Sequence, residues 1–151
     1  MVDKEEFEKV ILEVNDDLYG VTGERVWAKA LGDDLYEIRN TPWHTCDVSW
    51  GDVVRAVPEK ENQWPKVLEV VRRSGNRTVH IFFLKAATDT DKAEILGKLK
   101  TWKANYENAD GKLYAVDVAA DGDFDGLCQY LHEVEDAGML DYRTGVSPPA
   151  V

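Results

Sequence analysis

The sequence is poor in cysteine and has no long apolar run, and each shortage excludes a class of protein. Cys46 and Cys128 lie far apart and form no CxxC pair, so a zinc site has too few ligands nearby. No stretch of about 18 apolar residues is present that could cross a bilayer. The opening MVDKEEFEKVILEVNDD is too acidic for a signal or transit peptide. We therefore expect a cytoplasmic protein with reduced thiols, no membrane partner, and neither a metal nor another cofactor.

Basic residues are also scarce. The 151 residues include 18 Lys and Arg against 29 Asp and Glu, which gives a formal net charge of −11. This balance argues against a nucleic-acid partner, because such proteins neutralise phosphates with Lys and Arg. Residues 106–151 contain ten acidic and two basic side chains, a sum of −8, whereas residues 61–105 sum to +4 from nine basic and five acidic ones. A surface of one sign attracts the opposite sign, so the C-terminal segment predicts a basic protein partner, with solubility alone as the competing interpretation.

In the first half of the chain, apolar residues recur with the period of two that is typical of strands. The segments that show it are EKVILEV, ERVWAKAL, LYEIRNT, GDVVRAV, KVLEVVRR and TVHIFFLK. Gly32–Asp34 predicts a hairpin between the second and third segments, and Ser74–Asn76 predicts another between the last two. We expect residues 1–84 to form a small antiparallel β-barrel-like unit, because closing the sheet removes exposed strand edges.

From Thr88 onward the period becomes helical. TDTDKAEILGKLKTWKANY is amphipathic, and Asp91 followed by Glu94 predicts a capping box at its start. Its apolar stripe consists of Ile95, Leu96, Leu99 and Trp102. KLYAVDVA predicts a strand, and DFDGLCQYLHEVEDAGML predicts a second helix with Gly138 at its C-terminal cap.

The order of these elements predicts the fold class. Strand TVHIFFL, helix, strand and helix give a β-α-β-α order, half of a ferredoxin-like arrangement. We expect residues 85–151 to form an α/β unit that packs on the barrel-like unit. The predicted fold is therefore α+β, with both units in one compact domain.

The stretch NTPWHTCDVSWGDVV raises the question of a catalytic thiol, since it holds both Cys46 and His44. A reactive thiol needs a nearby cation or helix N-terminus that lowers its pKa, and reactive Cys–His pairs are normally assembled from distant segments. The string itself offers no orienting carboxylate and no oxyanion-binding turn for the pair. We therefore interpret it as a loop that leads into strand GDVVRAV.

Other candidate sites also have structural interpretations. DGDFDG, residues 121–126, matches the opening of a calcium loop, but His132 holds the twelfth position, where a bidentate Glu is required. We interpret these aspartates as a cluster that stabilises a helix N-terminus. His80 falls in an apolar strand, which is typical of a buried structural histidine. No GxGxxG, GxxxxGK[ST], GxSxG or HExxH motif is present.

Four segments form a linked series of turns and strands that covers most of residues 23–143. They are GERVWAKALGDDLYEIRNTPW, SWGDVVRAVP, VVRRSGNRT and YLHEVEDAGMLDY. This series resembles a bacterial family of domains of unknown function, family 4265. The resemblance marks a fold, but the family carries no established activity and so implies no functional residue. In similar sequences the segment between NTP and GD need not hold Cys or His, which argues against a catalytic thiol at Cys46.

These observations lead to three hypotheses on function. The first is a non-enzymatic acidic binding protein, with a bacterial immunity protein that neutralises a basic toxin domain as its concrete form. Its candidate contacts are the carboxylates Asp121, Asp123, Asp125, Glu133, Glu135 and Asp136. The second is a small-molecule or peptide binding module whose concave sheet face is lined by Trp43, Trp50 and Arg72. The third is a hydrolase or transferase that uses Cys46 and His44.

Overall fold

The structure is a computed structural model that describes residues 7–108 and 111–145. In chain order, its strands and helices are β1 (Phe7–Asp16), β2 (Val21–Gly32), β3 (Leu35–Ile38), β4 (Val53–Pro58), β5 (Pro65–Arg72), β6 (Arg77–Phe83), α1 (Asp89–Lys98), β7 (Ala104–Asn108), β8 (Leu113–Val118), α2 (Phe124–Asp136) and β9 (Leu140–Thr144). A 3₁₀ turn, Leu99–Trp102, directly follows α1. In the described part of the chain, neither helix combines the length and the apolar character that crossing a membrane requires.

Strands β1 to β5 form a closed barrel in sequence order. Neighbouring strands are antiparallel except at the closure, where β1 and β5 pair in parallel at Ile11 and Lys66. Alternate residues of the strands point inward, as the period of two predicts. The buried core they form with one loop residue consists of Val10, Leu12, Val14, Val26, Ala28, Ile38, Val48, Val54 and Ala56. The predicted barrel-like unit is thus confirmed.

The hairpin predicted at Gly32–Asp34 is also confirmed. Gly32 pairs with Leu35, and the two residues between them, Asp33 and Asp34, have positive φ angles of 55° and 63°. Two successive positive φ angles are the pattern of a type I′ turn, whose twist matches that of the paired strands. Aspartate adopts this left-handed conformation more readily than most side chains.

Strands β6 to β9 form a second sheet in the order β7-β8-β6-β9, and each neighbouring pair is antiparallel. With α1 between β6 and β7, and α2 between β8 and β9, the unit has the complete β-α-β-β-α-β order of a ferredoxin-like arrangement. The predicted β-α-β-α half is present within it, and the structure adds β7 and β9. The α+β fold class is confirmed.

The first helix is shorter than its sequence pattern predicts. α1 ends at Lys98, and after the 3₁₀ turn Lys103 takes a left-handed conformation, with a φ of 59°, that stops the helical path. β7 therefore occupies the end of the segment predicted as helix. The capping box also begins earlier than predicted: Thr88 is the N-cap, and Asp91 is its partner three residues later rather than the first member.

The second helix agrees with its predicted pattern. Asp123 caps its N-terminus, where its Oδ1 accepts the Gly126 amide at 2.9 Å, so an aspartate stabilises the helix start as predicted. Leu127 and Leu131 are fully buried against the sheet. Gly138 has a φ of 79° directly after the C-cap, a conformation that favours glycine.

The change from one sheet to the other falls between β5 and β6, which corrects two predictions. β5 belongs to the barrel and β6 to the second sheet, so Ser74–Asn76 is not a hairpin. For the same reason, the predicted boundary at residue 84 places β6 in the wrong unit. The segment is a crossover that buried Asp52 holds in place, because its Oδ1 accepts the Ser74 amide at 2.8 Å and the Ser74 hydroxyl at 3.2 Å.

Candidate functional site

The loop between β3 and β4, residues 39–52, lies on the face of the second sheet opposite the helices. His80 Nε2 donates to the Pro42 carbonyl at 2.7 Å, and Thr78 Oγ1 donates to the Val48 carbonyl at 3.0 Å. Both sheet residues are buried. The stretch that holds the candidate catalytic residues is therefore a loop, as predicted, and it joins the barrel to the second sheet.

A buried charge network lies against this loop. The carboxylate of Asp16, at the end of β1, is 0% exposed and accepts from Arg143 Nη1 at 3.0 Å and Nη2 at 2.8 Å. His44 Nδ1 lies 2.8 Å from the same carboxylate. The two-pronged guanidinium of Arg143 holds the pKa of Asp16 well below its usual range. Since Arg143 lies on β9, this ion pair connects the two units.

The neutral member of the network is His80. Arg143 Nε donates to His80 Nδ1 at 2.9 Å, and the Pro42 carbonyl can only accept, so the imidazole proton lies on Nε2. Burial lowers the pKa of His80 to about 4, which agrees with a neutral ring at pH 7. The interpretation of His80 as a buried structural histidine is confirmed.

Cys46 and His44 do not point at each other. His44 directs Nδ1 to Asp16, whereas Cys46 Sγ lies 3.6 Å from the carbonyl oxygen of Arg143. Burial raises the pKa of Cys46 to about 12, so the thiol is protonated and weakly nucleophilic at neutral pH. The carboxylate that the loop sequence lacks is supplied by Asp16, which contacts His44 and also pairs with Arg143. These contacts give no support to a thiol-based mechanism.

The phase of the strand pattern contains a signal for part of this network. Asp16 shares the inward phase of Val14 on β1, and Glu24 shares that of Val26 on β2. An acidic residue at a core position needs a polar partner, so the two positions predict buried contacts. The sequence does not show that Arg143 supplies the partner, because it lies 127 positions from Asp16 in the chain.

Of the three predicted ligand-binding residues, Trp50 borders two pockets. The first, which we call the aromatic pocket, has a volume of about 440 Å³ and is lined by Phe7, Trp27, Arg39 and Trp50. The second, which we call the polar pocket, has a volume of about 370 Å³. Its lining consists of Thr41, Trp50, Asn76, Asn105, Tyr106, Glu107, Ala115 and Asp117.

The other two predicted ligand-binding residues, Trp43 and Arg72, line neither pocket. Trp43 anchors the loop, because its amide donates to Glu24 and its carbonyl accepts from Arg143 at 3.5 Å. Glu24 also accepts the His44 amide at 3.0 Å, and burial raises the pKa of its carboxyl group. Arg72 is exposed at the end of β5.

Both charged side chains in the lining of the polar pocket are carboxylates. Asp117 lies opposite Asn105 in the β7–β8 register, and Glu107 follows two residues later on the same face. Asn76 Nδ2 donates to both oxygens of Asp117, at 3.1 and 3.2 Å. Burial raises the pKa of Asp117. No Lys or Arg is found among the described residues of this lining.

The six predicted partner-binding carboxylates lie in two groups near the two ends of α2. Three of them are engaged within the molecule: Asp121 pairs with Lys103 at 2.7 Å, Asp123 caps the helix, and Glu135 accepts the Tyr142 amide at 3.3 Å. Asp136 is exposed and lies 3.7 Å from His132 Nε2, one turn earlier on the helix. Asp125 and Glu133 are also exposed to solvent. The structure does not gather all six into one cluster.

Glu133 instead belongs to a groove between the two helices, which we call the helix groove. This groove has a volume of about 260 Å³, and its lining includes Asp91 and Glu94 of α1 together with Glu133 of α2. Its full lining is Asp91, Glu94, Ile95, Tyr130, Glu133, Val134, Ala137 and Met139. The sequence pattern indicates Asp91 and Glu94 only as capping residues, because the packing of α1 beside α2 is not visible in it.

The fold and these contacts define a class: an α+β protein in which a five-stranded barrel is tied by a long loop and a buried ion pair to a ferredoxin-like unit. The chain belongs to the DUF4265 family, a domain of unknown function, whose family model matches residues 24–142. This confirms the resemblance found in the sequence.

The fold also has a solved structural relative. The chain is similar to a hypothetical protein from Neisseria gonorrhoeae of known crystal structure, with 19% sequence identity and a TM-score of 0.77. The match covers 96% of this chain and 100% of the other. At this identity, the likeness shows a shared fold and no more. Comparison with curated proteins finds no match.

Proposed function

We propose that this protein is a non-enzymatic binding protein that captures a basic protein partner in the cytoplasm. The observation that carries the proposal is the helix groove, whose described lining holds three carboxylates from two helices and no basic side chain. Asp91 also accepts the Thr88 amide at 3.0 Å, so Glu94 and Glu133 are the two exposed carboxylates of the groove. The groove also offers apolar surface from Val134 and Met139, which are half-buried. A partner's Lys or Arg would pack its aliphatic stem on that surface while its charged end donates to the carboxylates.

One cation lies beside the groove, since Lys98 Nζ is 5.2 Å from the ring centroid of Tyr130, a lining residue. The three carboxylates of the lining outnumber this cation, and Glu94 on the same helix is exposed to solvent. With a net charge of −11, the whole molecule would also accelerate the approach of a cationic protein.

The concrete form of the proposal is an immunity protein that neutralises a cationic toxin domain. Neutralisation needs a complementary surface and no catalytic group. The free thiols of Cys46 and Cys128 suit a reducing compartment. The expected genetic result is a neighbouring reading frame for a basic domain whose toxicity is relieved by co-expression of this protein. If the Glu94→Gln/Glu133→Gln variant relieved the toxicity as completely as the unchanged chain, the helix groove would not be the binding site.

A defined probe tests the groove before any partner is known. Labelled deca-lysine is titrated with the full chain, and binding is followed by fluorescence anisotropy. The double variant Glu94→Gln/Glu133→Gln removes two exposed carboxylates, each worth about 0.2–1 kcal/mol, so affinity should fall about two- to thirtyfold. The control, Glu61→Gln/Glu69→Gln, removes the same charge from exposed positions on the barrel side.

The two double variants distinguish binding in the helix groove from attraction by the net charge of the whole molecule. If the groove binds the probe, only the helix variant weakens it, and raising the salt from about 50 to about 200 mM weakens the unchanged chain further. Equal weakening by both double variants would show that net charge alone attracts the probe. In that case the proposal would lose its structural basis.

A second candidate function follows from the aromatic pocket. Its volume of about 440 Å³ and its three aromatic walls are typical of a small-molecule site. This observation favours the ligand-binding hypothesis, located on the barrel rather than at Trp43 and Arg72.

A further inference from the structure

The outer face of the barrel exposes three large aromatic side chains around one opening. Phe7, Trp27 and Trp50 are 44%, 48% and 38% exposed, and with Arg39 they line the aromatic pocket. Side chains of this size contribute most when they are buried, so a contiguous exposed set marks a surface that contacts something else.

The strand register places Phe7 and Trp27 on the outside of the barrel, whereas Trp50 comes from the loop between β3 and β4. In the β1–β2 pair, Lys9 faces Trp27 and Phe7 faces Lys29. The Trp27 carbonyl accepts the Arg39 amide at 2.9 Å, which puts the next strand alongside. Because the barrel core is formed by the residues of opposite phase, filling the barrel does not account for the exposed rings.

The charge beside the rings is positive, in contrast to the charge of the whole molecule. Lys9 Nζ lies 4.9 Å from the Trp27 ring centroid, and Arg39 Cζ lies 5.2 Å from that of Trp50. Arg39 shares its charge with Glu37, whose carboxylate lies 2.8 Å from Nη2. Two cations therefore lie beside the rings, and one of them, Arg39, is paired with a carboxylate.

We propose that the aromatic pocket binds a free nucleotide, a flat heteroaromatic ring that carries a phosphate group. Lys9 and Arg39 lie over part of the Trp27 and Trp50 rings, and the remaining exposed surface of these indoles is where a base would stack. Lys9 and Arg39 offer donors to the phosphate. The volume lies within the range of about 300–1,000 Å³ that small-molecule sites occupy.

The charges of the pocket and of the whole molecule favour one class among the aromatic ligands that could bind here. No carboxylate is present among the described lining residues, which disfavours a cationic aromatic ligand. The net charge of −11 repels a long polyanion more strongly than a single nucleotide, so a mononucleotide fits better than a nucleic-acid strand. This inference names the ligand class of the second candidate function and does not depend on the basic partner.

Calorimetric titration of the full chain with AMP and UMP tests the proposal, with adenosine and inorganic phosphate as partial ligands. We expect submillimolar binding of AMP and weaker binding of either half. Trp27→Ala should weaken AMP binding about tenfold or more, because a stacking face is lost. Lys9→Gln should weaken it less and reduce its salt dependence. The matched control is Trp64→Ala, since Trp64 is 46% exposed but lines a different groove.

Several results would overturn the nucleotide site. They are the absence of both heat and amide chemical-shift changes with AMP and UMP, equal loss in the Trp64 control, or a single-stranded oligonucleotide bound far more tightly than AMP. Circular dichroism checks that each variant folds, and Trp27→Leu keeps the test valid if the alanine variant does not. Because Glu94→Gln/Glu133→Gln leaves the aromatic pocket intact, its nucleotide affinity should be unchanged. Failure here therefore leaves the helix groove untouched.

Discussion

Replacing Arg143 by methionine should strongly destabilise the protein, because it leaves the Asp16 carboxylate buried without its main partner. Asp16 is 0% exposed at its side chain and accepts two hydrogen bonds from Arg143, whereas the Arg143 side chain is 35% exposed. Breaking a fully buried ion pair from one side costs about 3–5 kcal/mol. Since one partner is partly solvated, we expect a loss of about 2–4 kcal/mol in the free energy of unfolding.

Urea denaturation at pH 7 measures this loss, with Arg72→Met as the control. Arg72 is exposed at the end of a strand, so its replacement should change the stability by no more than about 0.5 kcal/mol. A double-mutant cycle with Asp16→Asn should then show strong coupling between the two positions.

The pH dependence provides a second check. The pKa of Asp16 is lower in the folded state than its unfolded value of about 3.9. The stabilisation is therefore complete above the unfolded pKa and is lost as the pH falls through the folded one. The gap between the unchanged chain and Arg143→Met should be widest near pH 7 and narrow below about pH 4. This reasoning would be refuted if Arg143→Met lost no more free energy of unfolding than the Arg72 control, or if its loss did not change with pH.

The remaining predictions concern the polar pocket and two glycines. Burial raises the pKa of Asp117, so the ionised form is disfavoured in the folded state. In thermal unfolding at pH 7, Asp117→Asn should therefore be at least as stable as the unchanged chain. As the pH falls toward 4, the melting temperature of the unchanged chain should rise relative to that of the variant. A lower melting temperature for the variant at pH 7 would contradict this. Gly97→Ala adds a Cβ in open space on α1 and should raise stability by about 0.5–1 kcal/mol. Gly145→Ala should instead cost about 1–3 kcal/mol, because its Cβ would lie 1.9 Å from the Cys46 carbonyl oxygen. Equal effects at the two glycines in urea denaturation would contradict the packing described at Gly145.

The barrel could be predicted because its information is local. The period of two predicts Val10 and Val26 inside the barrel, and the two aspartates after Gly32 form the turn between β2 and β3. The Ser74–Asn76 turn has the same composition as a hairpin turn but connects two sheets. Its role depends on Asp52, which lies more than twenty positions away and holds Ser74 at the crossover.

The second unit was predicted only in half, also for a physical reason. The apolar pattern continues from α1 into β7 without a break. The helical path ends at Lys103 because this residue adopts a left-handed conformation, which a lysine in the sequence does not predict. β9 is a short strand whose pairing with β6 is a long-range contact. Strand pairing of this kind depends on neighbours that a periodic pattern does not identify.

The candidate sites were predicted less well than the fold. The loop context of Trp50 indicates a binding residue, and Trp50 does border two pockets. Its neighbours Phe7 and Trp27 lie on two separate strands, so their approach to the Trp50 loop depends on long-range packing. The sequence indicates the acidic residues in and just before α2 as one surface, because they are close in the chain. Capping and pairing engage several of them, and the helix groove instead combines Glu133 with α1.

The proposal that the helices capture a basic partner is tested most directly by mapping where a cationic probe binds. In a titration of the isotopically labelled chain with deca-lysine, two-dimensional NMR should show amide shifts concentrated in residues 89–98 and 124–136, which are α1 and α2. The shifts should shrink in the Glu94→Gln/Glu133→Gln variant. Shifts spread evenly over the barrel and the second sheet, or unchanged in that variant, would contradict a binding site between the helices.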